Sequence, residues 1–440
     1  MQEQQTPQSE QLRELRRLRR QEQQRKRKLH IRIILAVVMV ILVLSAILIV
    51  RGIKRKNTEA EQPQPAAQEE PSVSAVTMPS EPNTVIHVAA VGDIMISEEQ
   101  LADAQRENGS YDFTDSFTAV SGLIASADLA IGNLELNFCG GPYAGAPSCR
   151  APESLALTLA GMGFDVMQTA NSYSVANGLS GLQSTIRYLD LAGISHVGTY
   201  ATEAERTETE GILIKTVNGV RFAILSYTKG LSGLALPEGA EYAVDLLYED
   251  YATDFTKINE TALVRSVEAA KAQNPDVILA LLHWGSENDR DVTGTQEKIA
   301  KLLFENGVDV ILGSHSHLAG PMKKTAVTTV DGEEKTCFVA YSLGNFFSGM
   351  SENIARSCRE SLLLELEFTK SSDTGDTALT GVGYTPLYLA DWGEDVKPRY
   401  EILPIRSAIN SGLFPELNGT LTDAIAHLRT NTDSDFDSGK

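Results

Sequence analysis

Short apolar runs that end in metal-ligating side chains constrain the fold of this chain more than any other feature of its sequence. One run, residues 277–282, leads directly into His283, and a second, residues 308–312, leads into His315 and His317. Apolar runs of this length, bounded by glycine, are typical of buried β-strands. Ligands of open α/β sheets bind at the carboxyl ends of the strands. The sequence therefore places three of its seven histidines along one predicted sheet edge.

Polar side chains also follow three apolar runs nearer the start of the chain, at residues 85–91, 127–132 and 164–167. The side chains just beyond these runs are Asp93, Asn133, Glu135 and Asn171. Segments with helical patterns alternate with the apolar runs, near residues 115–126, 154–162, 180–192, 261–273 and 294–306. The dipeptides Asn218-Gly219 and Asp331-Gly332 are typical of tight hairpin turns. This order predicts a layered α/β fold with antiparallel additions.

The polar residues at the predicted strand ends form a candidate metal site. Taken singly, each has a plainer explanation, such as a turn at Asp93, a helix cap at Asn133 or a hydrogen-bonded histidine at His283. Taken together, carboxylates and imidazoles at neighbouring strand ends indicate a transition-metal site. The predicted ligands are Asp93, Glu135, His283, His315 and His317.

The predicted ligand set also indicates a type of chemistry. A carboxylate that bridges two divalent ions would help a water molecule to attack a phosphoryl or acyl centre. Mixed oxygen and nitrogen ligands favour Mn, Fe or Zn over Mg or Ca. Glu287 follows His283 by four residues, and these two are the candidate catalytic residues.

An apolar stretch near the start of the chain predicts a membrane anchor. Residues 33–50 are 18 residues with Ser45 as their one polar member, which is just long enough to span a bilayer. Ten basic residues precede the stretch and four follow it, so the basic segment 1–32 is predicted to be cytoplasmic and the main domain extracytoplasmic. A cleaved signal peptide is the alternative, but the long leader and basic exit favour an uncleaved signal anchor. Residues 51–83 are predicted to form a flexible stalk.

Charge is divided unevenly along the chain. Residues 1–56 carry 14 basic and 4 acidic residues, a net charge of +10, whereas the remainder carries 24 basic and 54 acidic residues, a net charge of −30. So acidic a body argues against nucleic acid as a partner. It would repel an anionic polymer unless a metal ion or a local basic pocket intervenes. Any such polymer is therefore predicted to bind through the metal.

Four cysteines fall in the predicted external part, where disulfides are permitted. Cys139–Cys149, across a loop rich in glycine and proline, is the first predicted pairing, and Cys337–Cys358 is the second. Free thiols are the alternative. The chain has no Cys-x-x-Cys spacing, which argues against a metal–thiolate site.

Together, these motifs resemble the capsule synthesis protein CapA family. The elements that carry the resemblance are Gly92-Asp93, Asn133-Leu134-Glu135, His283-Trp284-Gly285-Ser286-Glu287, Gly313-Ser314-His315-Ser316-His317 and Ser342-Leu343-Gly344-Asn345-Phe346. The resemblance covers residues 84–405 and implies a β-sandwich flanked by helices, similar to calcineurin-like metallophosphoesterases. It also implies a role in poly-γ-glutamate capsule synthesis or export, with other synthase subunits as partners. Residues 406–440 are then a C-terminal extension, predicted to be disordered from about Asn431.

The chain departs from the family pattern after the third predicted strand. The family usually carries Asn-His-x-x-Asp-x-Gly there, whereas this chain has Ser172, Tyr173 and Ala176 in place of the Asn, His and Asp. The resemblance makes Asn171, Tyr173 and Asn345 further site-lining candidates. Three hypotheses follow: a capsule assembly factor with a metal site, an active metal-dependent phosphoesterase or amide hydrolase on an envelope polymer, and an inactive scaffold.

Overall fold

The computed structural model describes residues 82–349 and 356–440. The predicted cytoplasmic segment, signal anchor and nearly all of the stalk lie outside these residues. Within the described ranges, every helix is too short or too polar to cross a bilayer.

Strands of the described residues are numbered in chain order. They are β1 Thr84–Ile94, β2 Leu129–Leu134, β3 Val166–Gln168, β4 Ser195–Val197, β5 Leu213–Val217, β6 Val220–Thr228, β7 Val277–His283, β8 Val310–Ser314, β9 Met322–Thr328, β10 Glu334–Ala340, β11 Asn345–Phe347, β12 Glu360–Lys370, β13 Thr377–Asp391 and β14 Tyr400–Pro404.

The α-helices are numbered in the same way. They are α1 Glu98–Ala104, α2 Ser121–Ile124, α3 Ser154–Met162, α4 Gly178–Ala192, α5 Glu203–Thr209, α6 Glu260–Ala272, α7 Gly294–Asn306, α8 Ile405–Ser411 and α9 Asn418–Asn431. The helices predicted near 154–162, 180–192, 261–273 and 294–306 correspond to α3, α4, α6 and α7. The one predicted near 115–126 is instead a 3₁₀ turn, Thr114–Phe117, followed by the short α2.

Two sheets organise the domain, which confirms the predicted mixed α/β class. The first runs in the order β14-β13-β12-β1-β2-β3-β4, with β11 pairing in parallel with β1. The second runs in the order β5-β6-β7-β8-β10-β9. The central neighbours β1–β2 and β6–β7–β8 are parallel, so their carboxyl ends point the same way within each sheet.

The main core lies between the two sheets. Alternate residues of β1 and β7, such as Val88 and Leu279, are buried in one cluster shared by both sheets. Phe222 of β6 meets Phe368 of β12 edge-on, with ring centroids 5.6 Å apart. The intervening residues face outward beneath α1, α3 and α4 on the first sheet and beneath α6 and α7 on the second. Strands buried on both faces read as continuous apolar runs, which explains their clear sequence signal.

Local sequence determines where several elements begin and turn. Ser97 and Gln100 form a reciprocal capping box at the start of α1, and Thr293 and Gln296 do the same at α7. The predicted hairpin at Asn218-Gly219 joins β5 to β6, with φ of 48° and 82°, as a type I′ turn requires. The turn at Asp331-Gly332 likewise joins the antiparallel β9 and β10.

The C-terminal extension differs from the sequence prediction. Leu421 of α9 is fully buried in the core between the sheets, so the extension shares the core of the main domain. The segment after Asn431 is ordered in the structure. Phe436 packs edge-on against Phe338, and Asp437 forms an ion pair with Arg406. An aromatic contact and several ion pairs, including one between Lys440 and Glu365, hold a segment whose composition is otherwise typical of disorder.

None of the four cysteines is in a disulfide in the structure, so neither predicted pairing is formed. Burial raises the pKa of the Cys149 and Cys337 thiols, the latter to about 12. Both side chains are buried and behave as small apolar groups.

Candidate functional site

The carboxyl ends of both sheets supply the candidate site. In the first sheet, Asp93 at the end of β1 is in register with Asn133 of β2 and Asn345 of β11. In the second, His283 at the end of β7 is in register with Thr228 of β6 and Ser314 of β8. Contacts between Glu135 and His283 show that the two edges meet. The sheet-edge prediction is therefore confirmed.

Two glycines allow the strand ends to approach closely. A Cβ on Gly92 would lie 1.8 Å from the carbonyl oxygen of Gly344, and one on Gly313 would lie 2.0 Å from that of Tyr341. Real side chains cannot approach backbone so closely. Positions 92 and 313 therefore require glycine, because neighbouring backbone occupies the space that a side chain would need.

The backbone at the two motif histidines is strained. His315 has φ of 98° and His317 has φ of 61°, in a region that residues other than glycine rarely adopt. Such conformations persist where the surrounding fold determines them, and they cluster at functional sites. Both imidazoles are buried, so the fold tolerates backbone strain in order to present them inside the domain.

Five predicted ligands form two groups that could hold a metal ion. One group is Glu135, His283 and His315, and the other is Asp93, Glu135 and His317. Within each group the ligand atoms lie within 4.8 Å of one another, and every member is buried. Glu135 belongs to both groups, which is the arrangement of a bridging carboxylate. The donor chemistry therefore fits a pair of divalent ions.

Neighbouring polar groups orient these ligands. The Asn133 amide donates to Asp93 Oδ1 at 2.7 Å, and Nε2 of His283 lies 3.1 Å from Glu135 Oε1. The ring Nδ1 of His317 lies 3.0 Å from both Asp93 Oδ2 and Asn345 Oδ1. Asn133 and Asn345 therefore lie next to the predicted ligands, where such partners fix ring and carboxylate orientation.

The pKa values of His315 and His317 are shifted in opposite directions. Burial acts to lower the pKa of His317, but its hydrogen bond to Asp93 and the charges of Glu135 and Asp93 raise it to about 9. Burial tends to raise the pKa of Asp93, and the hydrogen bond with His317 lowers it overall. Burial and neighbouring positive charge, including that of Lys229, keep the pKa of His315 well below its usual range. These shifts favour the neutral ring of His315 as a ligand, whereas Asp93 and Glu135 favour the protonated form of His317.

Residues 171–173 follow β3, where the chain departs from the family pattern, and they hydrogen-bond around the candidate site. The Asn171 amide donates to Asn133 Oδ1 at 3.2 Å and to the Leu134 carbonyl at 2.8 Å, and its Oδ1 accepts from the Tyr173 amide. Asn171 therefore supports the site through Asn133. The Ser172 hydroxyl lies 3.4 Å from Nδ1 of His315, so Ser172 rather than Asn171 reaches the ligand cluster. Burial raises the pKa of Tyr173 well above its ordinary value, opposite to what acid catalysis at neutral pH requires.

A cavity of about 320 Å³ opens beside His315. Glu287, the second candidate catalytic residue, is exposed and lines this cavity rather than joining the buried ligand groups. Lys229 also lines it and is not among the residues predicted from the sequence. The signal that would have found Lys229 is its position one residue beyond β6, the same strand-end rule that located the histidines. A larger cavity of about 710 Å³ lies where β7 begins, and none of the described residues that line it is a histidine.

Comparison with solved structures gives distant likenesses. A 5′-nucleotidase precursor from Thermus thermophilus is 14% identical, with a TM-score of 0.40, over 73% of this chain and 54% of that one. The calcineurin-like phosphoesterase YfkN from Bacillus subtilis is 15% identical, with a TM-score of 0.37, over 79% of this chain and 100% of that one.

Comparison with curated sequences gives relatives that include two CapA proteins. A capsule biosynthesis protein CapA from Bacillus anthracis is 26% identical over 60% of each chain. A PGA biosynthesis protein CapA from Bacillus subtilis (strain 168) is 26% identical over 42% of this chain and 43% of that protein. The matches thus span less than two thirds of either relative. The family model of the bacterial capsule synthesis protein PGA_cap matches residues 87–350, which include every predicted metal ligand. The chain belongs to this PGA_cap capsule synthesis family.

Proposed function

We propose that this protein acts in the synthesis or export of an anionic capsule polymer of the poly-γ-glutamate class, through a divalent-metal site at the shared sheet edge. The observation that carries the proposal is the buried Glu135 carboxylate, which belongs to both candidate ligand groups. Family membership supplies the capsule context. The two CapA relatives are named for capsule and PGA biosynthesis, which supports this polymer class.

The ligand groups have defined parts in this proposal. Glu135, His283 and His315 would hold one ion, and Asp93, Glu135 and His317 would hold the other. Divalent ions in such a site supply Lewis acidity toward a phosphoryl or carbonyl oxygen. The chain itself orients Asp93 through Asn133 and buries the candidate ligands, and His317 would hold an ion only in its neutral form.

The proposed location is the outer face of the cell membrane. Residues 33–50 would anchor the chain, the basic segment before them would stay in the cytoplasm, and the stalk would carry the domain outward. An anionic polymer would then meet a domain of net negative charge. Bound divalent ions would offset that repulsion, and the other subunits of a capsule synthase would be partners at this surface.

Metal content of the purified full-length chain tests the proposal. We expect about two Mn, Fe or Zn ions per chain by elemental analysis, and fewer in His315→Ala. The matched control is His87→Ala, because His87 is exposed on β1 away from the sheet edge. A wild-type chain without bound metal, even after Mn is supplied, would support the scaffold hypothesis instead. Polymer binding that chelator leaves unchanged would refute the metal bridge.

A second candidate function is metal-dependent hydrolysis of a phosphoester or amide bond in an envelope polymer. The cavity beside His315 favours it, because His315, a member of one candidate ligand group, lines that cavity. His283 and Glu287 are the candidate catalytic residues. The test is hydrolysis of a chromogenic phosphoester and of a γ-glutamyl amide with Mn supplied. Equal turnover by the wild type and His315→Ala would eliminate this function.

A further inference from the structure

The cavity beside His315 contains a local basic group in an otherwise acidic domain. Its lining includes one lysine, Lys229, and one acidic residue, Glu287. The remaining lining residues are polar, aromatic or glycine: Ser172, Gly230, Ser232, Gly233, Phe255, Ser286 and His315. Its volume of about 320 Å³ lies at the lower end of small-molecule sites. It is suited to one monomer-sized group.

The backbone of Lys229 is fixed to the strand that presents a candidate ligand. Thr228, the last residue of β6, pairs with His283 of β7. The Lys229 amide then donates to the His283 carbonyl at 2.8 Å. The side chain of Lys229 therefore starts from the same rigid sheet edge that holds the ligand cluster, and sites on such elements are positioned more accurately than sites on free loops.

The ammonium group of Lys229 is held on two sides. Its Nζ donates to the Gly285 carbonyl at 2.6 Å and lies 4.8 Å from the centre of the Phe255 ring. Gly230 makes this packing possible, because a Cβ there would lie 2.7 Å from the Phe255 ring. An ammonium has three N–H donors, and among the described residues Nζ makes one hydrogen bond. Two donors are therefore available to a ligand in the cavity.

We infer that Lys229 binds an oxyanion of the substrate, either a phosphate or a carboxylate, and so positions the reacting bond next to His315 and the ligand groups. This inference rests on the proposed function and names the chemistry that the site recognises. It also explains how a domain of net negative charge can bind an anionic group. The half-buried Lys229 ammonium at the cavity attracts that group, whereas the net charge of the domain repels it.

Anion binding by the full-length chain tests the inference. The probes are inorganic phosphate and γ-glutamylglutamate, each titrated calorimetrically into chelator-treated and Mn-supplied protein. We expect one probe to bind, and Lys229→Gln to weaken its binding about 10-fold or more, since the substitution removes a hydrogen bond between charged groups. Lys229→Arg should retain binding. Lys215→Gln should match the wild type, because Lys215 is a half-buried lysine of the same sheet that bonds Ser195 outside the cavity.

The outcomes separate this inference from the metal proposal. Binding of phosphate alone identifies a phosphoester substrate, and binding of γ-glutamylglutamate alone identifies a glutamyl polymer. Equal binding by Lys229→Gln and the wild type, or no binding of either probe, overturns the inference. Metal content should be the same in Lys229→Gln and the wild type. A chain that binds the anion through Lys229 but holds no metal would support the inference and refute the metal proposal.

Discussion

Metal affinity at the Asp93, Glu135 and His317 group should depend steeply on pH. An imidazole must be neutral to ligate a metal ion, and the pKa of His317 is raised to about 9. At any pH below that value, the ion has to displace the His317 proton. Each pH unit then changes the apparent affinity about 10-fold, or about 1.4 kcal/mol. Between pH 6 and pH 8 the affinity should therefore rise about 100-fold, with about one proton released per ion.

The assay isolates each group with one substitution. His315→Ala leaves the Asp93, Glu135 and His317 group intact, and His317→Ala leaves the group that contains His283. Mn affinity is measured by calorimetry at pH 6, 7 and 8, in buffers of different ionisation enthalpy, so that released protons are counted. The His317→Ala protein should show a much flatter pH profile, because the pKa of His315 is already well below its usual range.

Two results would refute this reasoning. One is an affinity in His315→Ala that changes less than about 3-fold from pH 6 to pH 8. The other is an equal number of released protons in both variants. Either result would mean that the His317 ring is neutral in the free protein, and that its contact with Asp93 does not hold a proton.

Three further predictions follow from the same geometry. Glu135→Gln should lower metal content at both groups, whereas His315→Ala should affect one; elemental analysis of the two variants distinguishes a shared ligand from separate sites. Gly313→Ala should lower the free energy of unfolding by about 1–3 kcal/mol, because the added Cβ would lie 2.0 Å from the Tyr341 oxygen; urea unfolding measures this, and an unchanged midpoint would contradict it. Leu421→Ala should cost about 2–5 kcal/mol in the same assay, because Leu421 is fully buried in the core between the sheets.

The residues of the candidate site can be predicted from the sequence, because each lies just after an apolar run in the chain. Strands buried on both faces read as apolar runs, and their polar ends stand out: His283, His315 and Glu135 were identified in this way. Lys229 also follows an apolar run, but a lysine is not a typical metal ligand, and its place in the cavity depends on Phe255 and Gly285, which are distant in sequence.

Two other features required tertiary context. The strand β13 contains Gly381, Gly383 and Pro386, which argue locally against a strand, yet antiparallel pairing of residues 377–388 with β12 stabilises it. The final segment after Asn431 is polar and acidic, and its order depends on contacts of Phe436 and Asp437 with residues far away in the chain.

The distribution of the ligands between the two sheets has a mechanical consequence. Asp93 and Glu135 extend from the first sheet, whereas His283, His315 and His317 extend from the second. Each ligand group draws on both sheets, so an ion bound at either group acts as a cross-link at the open end of the sandwich. A bound ion would then make the two sheets harder to separate at that end. The resistance of the domain to opening there would therefore show whether the site is filled.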